Sequence, residues 1–214
     1  MAAVTEGRRE RRRRTTRSKL LRAARELISE GGFDTVTVAE VTARADVGFG
    51  TFYGYFASKD ALLRGVVVDA LERIGATNDA LTATLDDPAE VVAVAIRHTL
   101  AAAEHDPVWA AFLARLAFSD ETELWQVLRT RMRRDVRRGI AQGRFRGERA
   151  DVVAHMIGAS VLAVLRARTD GTLPKRADAE LAASVLVLLG VPEHDADEIA
   201  HRPLPPLPLH EEDA

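Results

Sequence analysis

The sequence predicts an all-α protein of about nine helices, a count that follows from hydrophobic periodicity. Three observations carry this. Residues are 47% hydrophobic yet only 5% aromatic, and alanine and arginine, both strong helix formers, abound. Apolar positions recur at spacings of three and four along most of the chain. No segment reads as a credible strand.

At 214 residues the chain accommodates one large domain or a small module followed by a larger one. Cysteine is absent, which excludes disulfides, thiolate metal sites and cysteine nucleophiles. No apolar stretch follows the N-terminal charges, so no signal peptide is expected. No uncharged apolar run approaches the roughly 18 residues of a spanning helix. The expectation is a soluble, cytoplasmic protein without a membrane partner.

A net charge of −2 hides a strong asymmetry. Arg8, Arg9, Arg11, Arg12, Arg13, Arg14, Arg17, Lys19, Arg22 and Arg25 face only Glu10. After Val191 the acids Glu193, Asp195, Asp197, Glu198, Glu211, Glu212 and Asp213 face only Arg202. This pattern suggests a basic nucleic-acid arm at one end and an acidic tail at the other.

Residues 1–14 hold too little apolar surface to fold alone and are expected to be a disordered basic arm. From Thr16 a helix begins, with Leu20, Ala24, Leu27 and Ile28 on one side, and Gly31-Gly32 stop it. Phe33 plugs the small core. Thr37 and Glu40 form a T-x-x-E capping box that opens a second helix, with Val38, Val41 and Ala45 inward. Asp46 sits at the turn, where it tolerates positive φ. A short helix with Thr51, Phe52, Tyr53 and Phe56 follows, Phe52 and Phe56 being core. Ser58 caps a fourth helix bearing Leu62, Leu63, Val66, Val67 and Leu71. Pro88 opens a fifth, from its first turn. Pro107 opens a sixth, and residues from Glu121 to about Gln142 form a seventh. Two more run from about Arg149 to Thr169 and from Ala177 to Leu189. From Pro192 onward prolines and acids signal a flexible tail.

The expected domains are therefore an arm (1–14), a three-helix helix-turn-helix module (15–60), a helical domain (61–191) and a Pro-rich acidic tail (192–214). A helix-turn-helix beside a basic arm is a means of reading duplex DNA. Gly48-x-Gly50-x-x-x-Gly54 imitates a dinucleotide fingerprint, but a capped amphipathic helix precedes it where that fingerprint needs a buried strand. His98 and His105 lack clustered carboxylates or cysteines, so they are read as pocket or surface residues and no metal or cofactor is assigned. No Ser/His/Asp arrangement, P-loop or acid pair stands at a recognisable spacing, which disfavours an enzyme.

Residues 16–65 resemble the DNA-binding domain of the TetR-type (tetracycline-repressor-like) transcriptional regulators. Thr37, Ala45, Val47, Gly50, Thr51, Tyr53, Tyr55, Phe56, Ser58, Lys59 and Leu62 carry the resemblance, with Asp60 in place of a glutamate. Thr42, Asp46 and Gly48 depart from it. The Gly48 change removes a serine hydroxyl that would touch phosphate but leaves a backbone N–H. Gly54 stands where a larger residue is common, so a contact there is in doubt. The resemblance implies that Phe49 and Thr51 read bases, and that Thr37, Tyr53, Tyr55 and Lys59 touch phosphates. Gly48, Gly50 and Gly54 belong to the same surface, and Arg44 either touches a phosphate or is simply solvated.

Farther along, Val153, Ile157, Val161, Val164, Leu181, Val185 and Leu188 serve either an ordinary core or a two-fold four-helix interface, the arrangement the resemblance implies. Trp109, Phe112, Phe118, Trp125 and Met132 gather the aromatic bulk, as core or as the lining of an apolar effector pocket. The resulting expectation is a homodimeric repressor released from its double-stranded DNA operator by a small apolar effector. The alternative is an architectural or constitutive DNA-binding protein without effector control.

Overall fold

A computed structural model describes residues 7–106, 108, 122–147 and 149–205, with the side chains of 103–105 and 122–128 outside that description. Among the described residues there are nine helices and no strand: α1 (Arg8–Gly31), α2 (Val38–Arg44), α3 (Phe49–Tyr53), α4 (Lys59–Thr82), α5 (Pro88–His105), α6 (Thr122–Ala141), α7 (Ala150–Thr169), α8 (Ala177–Leu188) and α9 (Glu193–His201). The all-α expectation holds. The helix expected from Pro107 lies outside the described residues. The chain forms two compact units, Met1–Ala70 and Leu71–Ala214. The division falls ten residues later than the expected boundary after residue 60, because Leu62, Leu63, Val66, Val67 and Ala70 are buried in the first unit.

In the first unit, Leu20, Leu21, Ala24 and Ile28 of α1 are buried together with Phe33 and Val36. Gly32 ends α1 at φ 84°, its N–H donating to the Ile28 carbonyl. At Gly65 a Cβ would come within 3.1 Å of both Leu21 and Phe56. Glycine there lets α4 close on α1 and on the segment after α3.

Two expectations of disorder are corrected. Helix α1 begins at Arg8, so Arg8–Arg14 are helical where a disordered arm was expected. Arginine is a good helix former, and extending an existing helix adds one hydrogen bond per residue fixed without a new nucleus. At the other end Glu193–His201 form α9, with Ala196, Ile199 and Ala200 buried. Glu193 and Asp195 stand in its first turn, where they complement the helix dipole.

In the second unit, Asp87 caps α5 by accepting from the Ala89 N–H at 2.9 Å, and Pro88 occupies the first turn. Arg144 grips the same carboxylate at 2.9 and 3.0 Å. Helix α5 is the hub, packing against α6, α7, α8 and α9. Its Ala89, Val92, Ile96 and Leu100 are buried. Helix α7 is, among the described residues, the one helix long and apolar enough to cross a membrane, its best window averaging a hydropathy of 1.5. It directs Ala154, Ile157, Val161, Leu162 and Leu165 into the core and leaves Val152 and Met156 exposed.

Candidate nucleic-acid interface and an interhelical cavity

The capping box at the start of α2 forms as its sequence dictates. The Thr37 hydroxyl accepts from the Glu40 N–H at 3.2 Å and donates to Glu40 Oε2 at 2.6 Å, while the Thr37 N–H donates to the same carboxylate at 3.1 Å. Thr37 therefore holds the entry to α2 with the hydroxyl that the resemblance assigns to a phosphate. Asp46 turns the chain at φ 52°, and the Val47 N–H donates to the Thr42 carbonyl at 3.0 Å. Gly48 then caps α3 through its backbone, with no side-chain bond.

Helix α3 sorts its aromatics by depth. Phe52 is fully buried beside Phe56, their ring centroids 5.9 Å apart. Phe49 and Tyr53, one turn apart, are each 53% exposed and pack edge to face at 5.6 Å. Gly48, Gly50, Thr51 and Gly54 share this exposure. Two large rings exposed to water in mutual contact form an aromatic surface that an ordinary solvated helix does not need. The opposite edge is supported by Arg17, whose guanidinium lies 5.4 Å from the Phe56 ring centroid.

The remaining residues assigned to this surface separate. Tyr55 is half-buried. Lys59 donates from Nζ to the Asp34 carbonyl at 3.3 Å, so its ammonium is placed beside the loop before α2. Arg44 is neither of the expected alternatives in pure form, since it is paired with Glu30 and Glu26 of α1. Its hydrogen bonds to Glu30 and Glu26 push its pKa further up, and the bond it donates to Glu30 holds that carboxyl below the usual carboxylate range. Arg8, Arg9, Arg11, Arg12 and Arg13 are exposed along the first turns of α1, forming a basic helical extension.

The second unit contains a cavity of about 70 Å³ between α4, α5, α6 and α7. Its apolar wall includes Leu71, Ile74, Ile96, Met132, Ile157 and Val161, and its polar wall Asn78, Asp79, Thr82, Thr99, Arg131 and Asp135. Of the residues expected to line a pocket, Met132 does so. Trp109, Phe112 and Phe118 lie outside the described residues, as does the Trp125 side chain.

Polar groups dominate one part of this wall, which the sequence reading missed. Asn78 donates from Nδ2 to Thr99 Oγ1 at 2.9 Å, and its Oδ1 lies 2.6 Å from His98 Nδ1. With the Asn78 oxygen accepting, Nδ1 of His98 carries the proton. Burial pushes the His98 pKa down, keeping the ring neutral. Burial pushes the Asp79 carboxyl up, but hydrogen bonds from Arg134 and Arg131 outweigh it and leave Asp79 below its ordinary value. Asp135 goes the other way: burial raises it more than Arg134 lowers it. A signal was present in the sequence, since Asn78, His98 and Thr99 interrupt otherwise apolar helix faces.

The expected dimer residues divide in the same manner. Ile157, Val161 and Val185 are buried within the chain itself, and Ile157 and Val161 line the cavity. They are corrected as interface residues, because a side chain already enclosed by its own chain has no surface to offer. Val153, Val164 and Leu181 are half-buried. Leu188 remains exposed at 51%, joined by Val187 on α8 and by Val152 and Met156 on α7.

Comparison with known proteins gives a consistent picture. Residues 20–66 match the bacterial regulatory proteins of the tetR family, and residues 87–202 match the tetracyclin repressor-like C-terminal domain. The crystal structure of RolR without ligand is 36% identical, covers 89% of this chain and 100% of its own, and superposes with a TM-score of 0.78. The RolR complex with resorcinol is 35% identical, covers 92% of this chain and 99% of its own, with a TM-score of 0.79. The transcriptional regulator UidR of Escherichia coli is 36% identical over 58 residues, 27% of this chain and 30% of its own length. The transcriptional repressor KstR of Mycolicibacterium smegmatis is 41% identical over 66 residues, 31% of this chain and 32% of its own. The chain thus spans about a third of the length of these curated relatives.

Proposed function

The chain belongs to the TetR family of bacterial regulatory proteins, and from that premise we propose that it is a dimeric repressor which a small effector releases from its operator. The carrying observation is the coexistence of an exposed aromatic reading surface on α3 with an interhelical cavity in the second unit. Phe49 and Thr51 read base edges in the major groove, by apolar contact with thymine methyl groups and by the hydroxyl. Gly48, Gly50 and Gly54 let the backbone approach DNA closely. Tyr53, Tyr55 and Lys59 contact phosphates and fix register, with Thr37 positioning α2. The basic turns of α1 add phosphate contacts that carry affinity without sequence information.

Dimerisation uses the exposed apolar residues Val152, Met156, Val187 and Leu188 of α7 and α8. The cavity takes the effector, which biases the protein toward a conformation whose two recognition helices no longer match adjacent grooves. RolR, crystallised with resorcinol, supports a single hydroxylated ring as the effector class. The mixed lining of the cavity supports the same class over a purely apolar molecule. An electrophoretic shift on the DNA upstream of the chain's own gene, titrated with resorcinol, tests this reading. Release of bound DNA is expected. Binding that no single-ring phenol weakens would leave a constitutive DNA-binding protein instead.

A further inference from the structure

Resting on that effector reading, we propose that the cavity selects an uncharged ring bearing hydroxyl groups and rejects aromatic carboxylates, and that Gly75 sets this selectivity by positioning Arg131. The charged groups on the described lining are Asp79, Asp135 and Arg131, two carboxylates against one guanidinium. Arg131 is already committed: its Nε donates to Asp79 at 3.0 Å and its Nη2 lies 2.8 Å from Glu72. Behind the wall Arg134 donates to Asp79 at 2.6 Å and to Asp135 at 2.8 Å. The two guanidiniums thus serve three carboxylates. On the described lining an incoming carboxylate meets two like charges and a guanidinium already bonded to two carboxylates, whereas a hydroxyl donates to the remaining lone pairs of Asp79 and Asp135.

Gly75 makes this arrangement possible. A Cβ at that position would stand 2.5–2.7 Å from Nη1, Cζ and Nε of Arg131. The guanidinium therefore lies directly on the α4 backbone, between Glu72 one turn before and Asp79 one turn after. The opposite polar end is self-satisfied. Asn78 is held by His98 and Thr99, and the Thr99 hydroxyl donates to the Ala95 carbonyl at 2.7 Å. Hydrogen-bonding capacity is thereby concentrated at the carboxylates. A cavity of about 70 Å³ holds on the order of five waters at ~10–15 Å³ each, room for one ring and little more.

Calorimetric titration of the full chain with resorcinol, benzoate and 3-hydroxybenzoate tests the proposal, repeated on Asp79→Asn and Gly75→Ala. Resorcinol is expected to bind, and both carboxylates to bind roughly tenfold more weakly or worse. Asp79→Asn removes one repelling charge, and Gly75→Ala displaces Arg131 from its partners. Each should narrow the gap by weakening resorcinol and strengthening 3-hydroxybenzoate. Thermal unfolding of each variant verifies that it is folded, and the wild-type comparison stands without them. Equal affinity for resorcinol and 3-hydroxybenzoate overturns the selectivity while leaving the effector reading intact. An unchanged gap in both folded variants overturns the roles given to Gly75 and Asp79. A chain that binds none of the three overturns the effector reading itself.

Discussion

Arg44 grips Glu30 with both terminal nitrogens, Nη1 to Oε1 at 2.8 Å and Nη2 to Oε2 at 3.1 Å. A fork-on-fork pair fixes angle as well as distance, so the end of α2 is registered against α1. This relationship sets where α3 emerges and engages a cation that would otherwise be available to phosphate. Arg44→Ala is accordingly expected to lower the unfolding temperature of the first unit slightly, with Glu30→Ala doing the same and the double variant adding nothing. The slope of log affinity against log salt should stay within error of wild type. A slope shallower by about 0.9, the signature of one phosphate no longer neutralised, would return Arg44 to the DNA surface.

The basic extension of α1 makes a second prediction. Deleting residues 1–14 should remove helical signal in circular dichroism, because Arg8–Arg14 are helical, and should weaken binding to cognate and random DNA alike. The salt slope should become shallower by about 0.9 for each phosphate that the arginines had neutralised. Unchanged affinity at moderate salt would show the arginines to be a solvated helix end.

A third prediction concerns acidification. His98 is buried and neutral, its pKa lowered from 6.5 by desolvation. A base whose folded pKa is depressed binds fewer protons in the native state than in the unfolded one. Stability is therefore fully present above pH 6.5 and falls as pH drops below it. The urea midpoint should decrease between about pH 7.5 and about pH 5.5, in the titration range of histidine. His98→Gln keeps a hydrogen bond to Asn78 within reach but cannot titrate, so it should flatten that decrease. An equal decrease in the variant would assign it to another group.

The corrected placement on α7 and α8 separates two kinds of substitution. Met156→Arg and Leu188→Arg place charges on exposed apolar positions, and should yield folded monomers in sedimentation experiments. Val161→Arg or Val185→Arg instead forces a charge into the protomer core at a cost of several kcal/mol, and should unfold the second unit. Dimers that persist with Arg at both 156 and 188 would move the interface off this face.

How much was legible follows the range of the interactions involved. The capping box of Thr37 and Glu40, the positive φ of Asp46 and the helix start at Pro88 were readable, because each depends on residues a few positions apart. Helices α7 and α8 begin and end within a residue of their expected limits. Which way they face was not readable. Both are apolar on nearly every side, so periodicity loses its phase and Ile157 looks like Met156. The polar wall of the cavity left only a local trace, polar residues interrupting apolar faces, since Asn78, Thr99 and Asp135 come from three helices and only packing brings them together. The ends of the chain misled because charge content signalled disorder, whereas Arg8–Arg14 extend a helix that Leu20 and Ile28 already anchor.

The most direct measurement is sequence selection by the full-length chain from a random duplex library, repeated with Phe49→Ala and Thr51→Ala. The predicted result is enrichment of a palindrome whose half-sites lie about one helical turn, roughly 34–36 Å, apart or somewhat more. Each variant should change the preferred base at one symmetric pair of positions, costing about 1–3 kcal/mol of discrimination there. Enrichment of no sequence, or of the same palindrome at the same strength by both variants, would contradict the assignment of α3 as the helix that reads DNA.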